Sequence, residues 1–398
     1  MSNEIDLPEF NIIEKEVTDD GDYIYILELI NKPTLCPICG AKLHKHKSVT
    51  RKVRDLNQFG HQVGLVIKGH RYRCSNKECG SFVRESYESI QEGSQLTNRL
   101  RDTIKRESML STFKELAELY NVSTSTVAEL FKEETAELNK QYKLIAPKVL
   151  GIDEVHLKKN YYGVFVNINE NRIIEIKENR NKTTVIKFIQ SMDDRGNIEC
   201  VTMDMWKPYK DAVNTVLPNV PVVIDKFHVI KELQKSLDEM RKNVSRVIKE
   251  QKERVSLKNN RTLMLKSAEN LSSREYEKLN LLLDKYPAFK IPYDLKEAFR
   301  AIYDCNSREE AENTFIEWIN ECHAQGISGY DSFIETVCNW HTEIFNYFDY
   351  RYTNAATESL NATIRELDRE GRGYAFETLR DKVVLKHLVS NKKNKLKF

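Results

Sequence analysis

No stretch of this chain approaches the roughly 18 consecutive apolar residues that a membrane-spanning helix needs, which excludes an integral helical membrane protein. The opening residues do not have the layout of a secretion leader either. The opening residues Met1-Ser2-Asn3-Glu4-Ile5-Asp6 are polar and acidic where a leader is basic and then apolar, so a cytoplasmic protein with no membrane partner is expected. An excess of one sign of charge is lacking too. The 62 Lys and Arg are balanced by 60 Asp and Glu, leaving +2, and the total announces no nucleic-acid partner. What remains is a globular composition, 40% hydrophobic and 31% charged over 398 residues, ample for two or more cores.

Balanced charge is not evenly spread charge. Between Lys42 and Arg73 stand nine Lys or Arg and one acid, Asp55, which makes a local basic patch. The eight cysteines are uneven too. Cys36, Cys39, Cys74 and Cys79 come as two close pairs, whereas Cys200, Cys305, Cys322 and Cys338 are single. In a reducing compartment the pairs point to metal and the singles to core thiols.

Residues 1–30 suggest a hairpin, with Asp19-Asp20-Gly21-Asp22 as its turn and Tyr23-Ile24-Tyr25-Ile26-Leu27 as a strand. Residues 31–88 follow with CxxC, a gap of 34 and CxxxxC. Tight turns closed by Gly40 and Gly80 let the thiolates converge, and four sulfurs make a tetrahedral structural zinc site. A mixed site drawing on His44, His46 or His70 is the alternative. The alternating segments 64–68 and 70–73 suit a small ribbon, whose basic surface, Arg71 and Arg73 included, favours nucleic-acid backbone.

Residues 92–140 predict helices. Phe113, Leu116, Ala117 and Tyr120 share one face, and Val127, Leu130 and Phe131 share the next. Ser123 can cap the second helix, with Thr124, Ser125 and Thr126 at its start. The pattern resembles a helix-turn-helix, in which those hydroxyls meet bases or phosphates; a plain helical hairpin has the same apolar pattern.

From residue 145 the periodicity changes. Lys148 to Leu157 form a short branched apolar run, a buried strand interrupted by Asp153. A buried carboxylate is costly unless a backbone donor or a divalent ion pairs with it. Strands at 161–168 and 172–176, a helix at 183–192, a strand at 198–204 ending in Asp204, a helix at 208–216 and a strand at 221–228 containing Asp225 complete the series. The order β-β-β-α-β-α-β is that of a ribonuclease H-like fold, in which strands one and four are neighbours, so Asp153 and Asp204 are expected to converge. Residues 231–350 predict an all-α region, with capping boxes at Ser272-Ser273-Arg274-Glu275 and Ser307-Arg308-Glu309-Glu310. In 351–375, Asn354, Glu358, Asn361 and Arg365 recur at spacings of four, three and four, one polar stripe opposite Ala356, Leu360, Ile364 and Leu367. That stripe faces either water or a site. Residues 376–398 give a last helix and a basic tail.

Two carboxylates on adjacent strands and a third on a late helix can hold two divalent ions, and hard oxygen ligands suit magnesium or manganese. Two such ions about 3.5–4 Å apart clamp the attacking and leaving oxygens of phosphoryl transfer.

With these motifs in hand, the chain resembles the ISL-three (ISL3) family of DDE transposases of bacterial insertion sequences over nearly its whole length. The resemblance rests on the amino-terminal CPxCG, the helix-turn-helix, Gly151-Ile152-Asp153-Glu154, Asp225-Lys226-Phe227-His228-Val229, Thr353-Asn354-Ala355-Ala356-Thr357-Glu358-Ser359-Leu360-Asn361 and Gly371-Arg372-Gly373-Tyr374. It implies a multidomain α/β protein: a zinc ribbon and helix-turn-helix, then a ribonuclease H-like catalytic domain (145–230 and 351–375) interrupted by the all-helical insertion. It also implies cleavage and strand transfer of double-stranded DNA at terminal inverted repeats, into target DNA, by a homodimer or larger assembly formed on DNA. The catalytic and metal-binding triad implied is Asp153, Asp204 and Glu358, with Asp225 and His228 in support; Asp225 as second acid is the alternative. Trp206 packs in the core or stacks on a base, and Asn354, Asn361 and Arg365 are candidates for phosphate contact. Two other activities fit the same residues: a DNA-binding regulator on a retired catalytic scaffold, and a structure-specific nuclease.

Overall fold

The computed structural model describes residues 4–390; the basic tail, 392–397, lies outside them. The chain divides into two compact units, residues 1–142 with 385–398, and residues 143–384.

The first unit is built on strands β1 (Phe10–Val17), β2 (Tyr23–Leu29), β3 (Leu43–Gln58), β4 (His61–Cys74) and β5 (Phe82–Arg84). They form one sheet in the order β1-β2-β4-β3, with β5 also on β4. The expected amino-terminal hairpin forms, β1 pairing antiparallel with β2 from Phe10–Leu29 to Val17–Tyr23, but it is not a separate domain: β2 also pairs parallel with β4 and extends the ribbon sheet. The reason is burial. A two-stranded hairpin is marginal alone, and Tyr25, Leu27 and Leu29 share a core with Val63, Leu65 and Ile67 of β4, covered by Ile5 and Leu7. Helices α1 (Asn98–Ser108), α2 (Phe113–Leu119) and α3 (Thr124–Gln141) enclose a second core around Leu100, Ile104, Leu116, Val127 and Leu130. The single acid of the basic segment joins the two cores. Asp55, on β3, is buried and accepts from Thr97 Oγ1 and Arg99 Nε, each at 2.7 Å.

The second unit contains β6 (Val149–Leu157), β7 (Asn160–Asn167), β8 (Arg172–Lys177), α4 (Lys182–Gln190), β9 (Cys200–Met203), α5 (Lys207–Val216) and β10 (Val222–Ile224). The sheet order is β10-β9-β6-β7-β8. Strands β6, β9 and β10 run parallel, and β7 and β8 are antiparallel to their neighbours. The first and fourth strands of this unit are thus adjacent, as expected. The last strand is shorter than expected. It ends at Ile224, and Phe227 and His228 lie instead in helix α6 (Lys226–Val247). An apolar run followed by Asp225 reads as strand throughout, but Asp225 takes the helix-capping position and turns the chain.

Helices then continue: α7 (Gln251–Asn259), α8 (Arg261–Leu265), α9 (Ser273–Lys285), α10 (Lys290–Ala301), α11 (Arg308–Ala324), α12 (Asp331–Asn339), α13 (His341–Tyr350), α14 (Ala355–Glu370) and α15 (Phe376–Ser390). The box at Ser272 closes in both directions. At Ser307 only half of it forms, because the Glu310 carboxylate takes the Asn306 N–H at 2.7 Å instead.

Alternation along the strands decides what faces where. Leu150 and Ile152 of β6, Val201 and Met203 of β9, and Val222 and Ile224 of β10 enter one large core with α4, α5 and α6. Val149, Cys200 and Val223 have the opposite phase and pack on the other face. Asp153, Asp204 and Asp225 continue that second phase.

Candidate active site

Ile152 is paired with Met203, and Met203 with Ile224. The next residue in each case is an aspartate, so Asp153, midway along β6, and Asp204 and Asp225, just past the ends of β9 and β10, lie at one level across three adjacent strands. Asp153 is 4% exposed and Asp225 2% exposed. His228, one turn into α6, reaches back and places Nε2 2.8 Å from Asp204 Oδ1. Asp153, Asp204 and His228 each offer a ligand atom, all within 4.8 Å of one another.

Helix α14 closes this face of the sheet. Asn361 donates from Nδ2 to Asp153 Oδ2 at 2.7 Å and to the Glu154 carbonyl at 3.2 Å. At the start of the helix, the Asn354 N–H donates to Asp225 Oδ1 at 3.0 Å. Its Oδ1 accepts from Thr202 at 3.2 Å and Thr357 at 2.6 Å. This close approach needs Gly151, where an added Cβ would lie 3.1 Å from Asn354 Oδ1 and 2.7 Å from Ile168 Cδ1.

Two expectations are corrected here. Asn354 and Asn361 are 1% and 3% exposed and committed to internal hydrogen bonds, so they fasten the helix rather than contact phosphate. The buried stripe is Asn354, Thr357, Asn361 and Ile364, polar and apolar together; Arg365 is exposed and Glu358 half-buried beside it. Glu358 is not among the side chains in mutual ligand range, yet Asp225, His228 and Asp204 act on it electrostatically.

The electrostatics describe an overcharged pocket. Burial, and then the charge of Asp204, push the Asp153 carboxyl up to about 8. Burial also raises Asp225, against the Asn354 N–H, and raises Glu358, reinforced by the Asp225 charge. For His228 burial acts downward, but the hydrogen bond and charge of Asp204, with Asp153 and Asp225, leave it raised. Among the described residues Asp225 Oδ2 is buried without a hydrogen-bond partner. Closely spaced, half-satisfied carboxylates are the donor set a hard divalent cation requires.

Trp206 is not in the core. It is 41% exposed, and the Arg180 guanidinium lies 4.7 Å from its ring and 4.3 Å from that of Tyr161. Arg180 also pairs with Glu154, the neighbour of Asp153. Neither Arg180, in the loop after β8, nor Tyr161 carries a sequence signal; pairing across strands brings them here. Thr202 was legible in principle, since it precedes Asp204 by two and shares its face.

In the first unit the four paired cysteines gather. Sγ of Cys36 and Cys79 are 3.9 Å apart, those of Cys39 and Cys74 3.4 Å, and all four lie within 4.8 Å of one another. Sulfurs about 2.3 Å from a tetrahedral zinc are about 3.8 Å apart, so the cluster fits that ion. The turns close as Gly40 and Gly80, at φ +71° and +57°, donate to the carbonyls of Cys36 and Asn76. The cluster contains no histidine: His46 packs on Phe82 and His70 faces Glu85. Arg71 lies over the Phe82 ring at 4.4 Å, while Arg73 is exposed. Ser123 caps α3 by accepting from the Thr126 N–H at 3.0 Å, and its hydroxyl also meets those of Ser125 and Thr126. Thr124 and Ser125 are exposed beside it.

Comparison with known proteins gives two family matches. A family model described as transposase, the ISL3 type with DDE chemistry, matches residues 150–383. A second, described as the zinc-finger of transposase IS204/IS1001/IS1096/IS1165, matches residues 32–79. The chain is 23% identical over 359 residues to the transposase for insertion sequence element IS1001 of Bordetella parapertussis, covering 87% of this chain and 88% of that protein. It is 23% identical over 397 residues to the transposase for insertion sequence element IS1557 of Mycobacterium tuberculosis, covering 91% and 88%.

Proposed function

Because the chain belongs to the ISL3 family of DDE transposases, enzymes of DNA cleavage and transfer, we propose that Asp153, Asp204 and Glu358 form its catalytic triad and hold two magnesium or manganese ions. The domain housing them is ribonuclease H-like, interrupted by the helical stretch 231–350. The observation that carries this reading is the shared strand level of Asp153 and Asp204 beneath the helix that bears Glu358.

Bound divalent ions supply charge stabilisation at the attacking and leaving oxygens of the phosphodiester. The chain's own residues prepare that site. Asp153 and Asp204 present oxygens from a rigid sheet, so little ordering remains to be done on binding. Asn361 fixes which Asp153 oxygen turns inward. His228 orients Asp204, and Asp225 anchors the start of α14 through the Asn354 N–H. The Tyr161–Arg180–Trp206 stack offers a cationic, aromatic surface beside the carboxylates, suited to a phosphate and an unstacked base.

In the first unit, one zinc held by Cys36, Cys39, Cys74 and Cys79 braces the ribbon. The ribbon, with Arg71 and Arg73, and the helix-turn-helix, through Thr124, Ser125 and Thr126, bind terminal inverted repeats. The protein acts in the cytoplasm on nucleoid DNA, as a dimer or larger assembly on the two ends. No helix among the described residues is long and apolar enough to cross a membrane.

The test is cleavage of duplex DNA carrying the element's ends, with Mg²⁺ or Mn²⁺. Asp153→Ala, Asp204→Ala and Glu358→Ala are expected to abolish cleavage while retaining DNA binding. Normal cleavage by Asp204→Ala together with inactivity of Asp225→Ala would overturn the assignment of the second acid. Metal-dependent cleavage without strand-transfer products would make the protein a nuclease, and binding without either reaction a regulator.

A further inference from the structure

Helices α6 and α7 pack together and enclose an open groove of about 400 Å³. Of its eight lining residues five are cationic, Arg241, Lys242, Arg246, Arg254 and Lys258, and none is acidic. The acids nearby are already engaged. Asp238 pairs with Arg241, Lys242 and Arg261, Glu239 with Lys242, and Glu253 with Lys285. Among the described residues Arg246, Arg254 and Lys258 have no carboxylate in ion-pair range, and all three are exposed. Exposed Val247 and Val255 lie on the same stretch. A fold stabilised by charge pairing would not leave three like charges facing one groove; a polyanion would neutralise them.

We propose that this groove is a second DNA-binding surface, which grips the phosphate backbone of duplex DNA without reading its sequence. The proposal rests on the DNA-processing reading given above and extends it to residues outside the carboxylate site. Spacing supports duplex backbone as the occupant. Arg254 and Lys258 are one helical turn apart, about 6 Å, close to the axial span of two phosphates at about 3.4 Å each along a strand. Position supports it too. Helix α6 is continuous for 22 residues and carries His228 in its first turn. At about 1.5 Å per residue, Arg241 and Arg246 lie about 20 and 27 Å along it from His228. Duplex DNA following that helix from the carboxylates would enter the groove about six to eight base pairs away, at about 3.4 Å per pair.

The experiment uses the full-length protein and a labelled 30-base-pair duplex of arbitrary sequence, titrated across a range of salt concentrations. The triple variant Arg246→Gln, Arg254→Gln, Lys258→Gln is expected to bind at least roughly tenfold more weakly. Its plot of log affinity against log salt should be shallower by about two to three, one for each lost phosphate contact. Arg254→Lys with Lys258→Arg, which keeps the charges, is expected to bind as the unsubstituted protein does. On a cleavage substrate, the triple variant's defect should disappear when the duplex is cut back to fewer than about six pairs beside the scissile bond. Equal affinity and equal salt slope for the triple variant, with the unsubstituted protein still binding, would overturn the groove and leave the carboxylate reading standing. Dependence of RNA or acidic-peptide binding, but not DNA binding, on these residues would also overturn it. Failure of the unsubstituted protein to bind any duplex would overturn both.

Discussion

Asn361 donates to Asp153 across 208 positions of sequence, at 2.7 Å and away from solvent. The bond sets the orientation of the buried carboxylate and seats α14 on β6. Asn361→Ala removes a donor to a buried carboxyl group, and a loss of about 1–3 kcal/mol in urea denaturation is expected. Catalysis should fall further than stability, by about 100-fold, since a small misplacement of a reacting group costs that much. Asn361→Asp, which sets another acid against Asp153, should be inactive. Full activity in both variants would remove Asn361 from the site's architecture.

Asp153 makes the protein's stability depend on pH. Its carboxyl is raised to about 8, first by burial and then by Asp204, from an ordinary value of 3.8. Between those values the folded state binds the proton more tightly than the unfolded state. Stability from this group is therefore full below 3.8 and declines as pH rises to about 8. In buffer without added divalent ions, Asp153→Asn should melt higher than the unsubstituted protein at pH 8, by about 2–4 °C per kcal/mol regained. The two should converge at pH 4. Added Mg²⁺ should stabilise the unsubstituted protein and leave the variant unmoved. Parallel melting curves at every pH would exclude a raised Asp153.

The sulfur cluster predicts one zinc per chain by elemental analysis. The Cys36 thiol is lowered to about 6, first by the Ser81 hydroxyl and then by backbone N–H groups, so it is ready to bind as thiolate. Cys36→Ser or Cys79→Ser should lose the ion and open the ribbon to protease. Cys305→Ser, whose partner Thr314 lies in the helical stretch, should keep it. Full zinc content in Cys36→Ser would refute the four-sulfur site.

Of the three tryptophans, Trp318 and Trp340 are 4% and 7% exposed and Trp206 is 41% exposed. DNA that stacks on the Arg180 platform should quench fluorescence, and Trp206→Phe should abolish most of that response while preserving the fold. Undiminished quenching in the variant would place DNA elsewhere.

The long-range agreement between sequence and structure comes from order. Branched apolar runs predicted the strands of the second unit, and their order placed Asp153 beside Asp204. The difficulties lie where one residue serves two elements. Asp225 ends a strand and caps a helix, and a window centred on Val223 extends the strand to His228. The stripe on α14 was assigned by polarity, but Asn354 and Asn361 are buried because their partners Thr202, Asp225 and Asp153 arrive from remote strands. Nothing local announces such partners. Likewise the hairpin of β1 and β2 is legible from its turn, whereas the parallel pairing of β2 with the remote β4 is not.

The bond from the Asn354 N–H to Asp225 Oδ1 spans 129 positions. The chain thus departs from the sheet and returns to it through almost the same point; of what lies between, α6 and α10 to α13 share the core of the sheet, whereas α7 to α9 close a core of their own around Leu257, Leu279 and Leu283 and stand as a side loop on that frame. Such a loop is free to lengthen, shrink or be exchanged over evolutionary time without respacing the acids, because closing a longer loop adds only slowly to the entropy cost. Diversity among related enzymes should concentrate there, where new grips on a substrate can be acquired while the chemistry stays put.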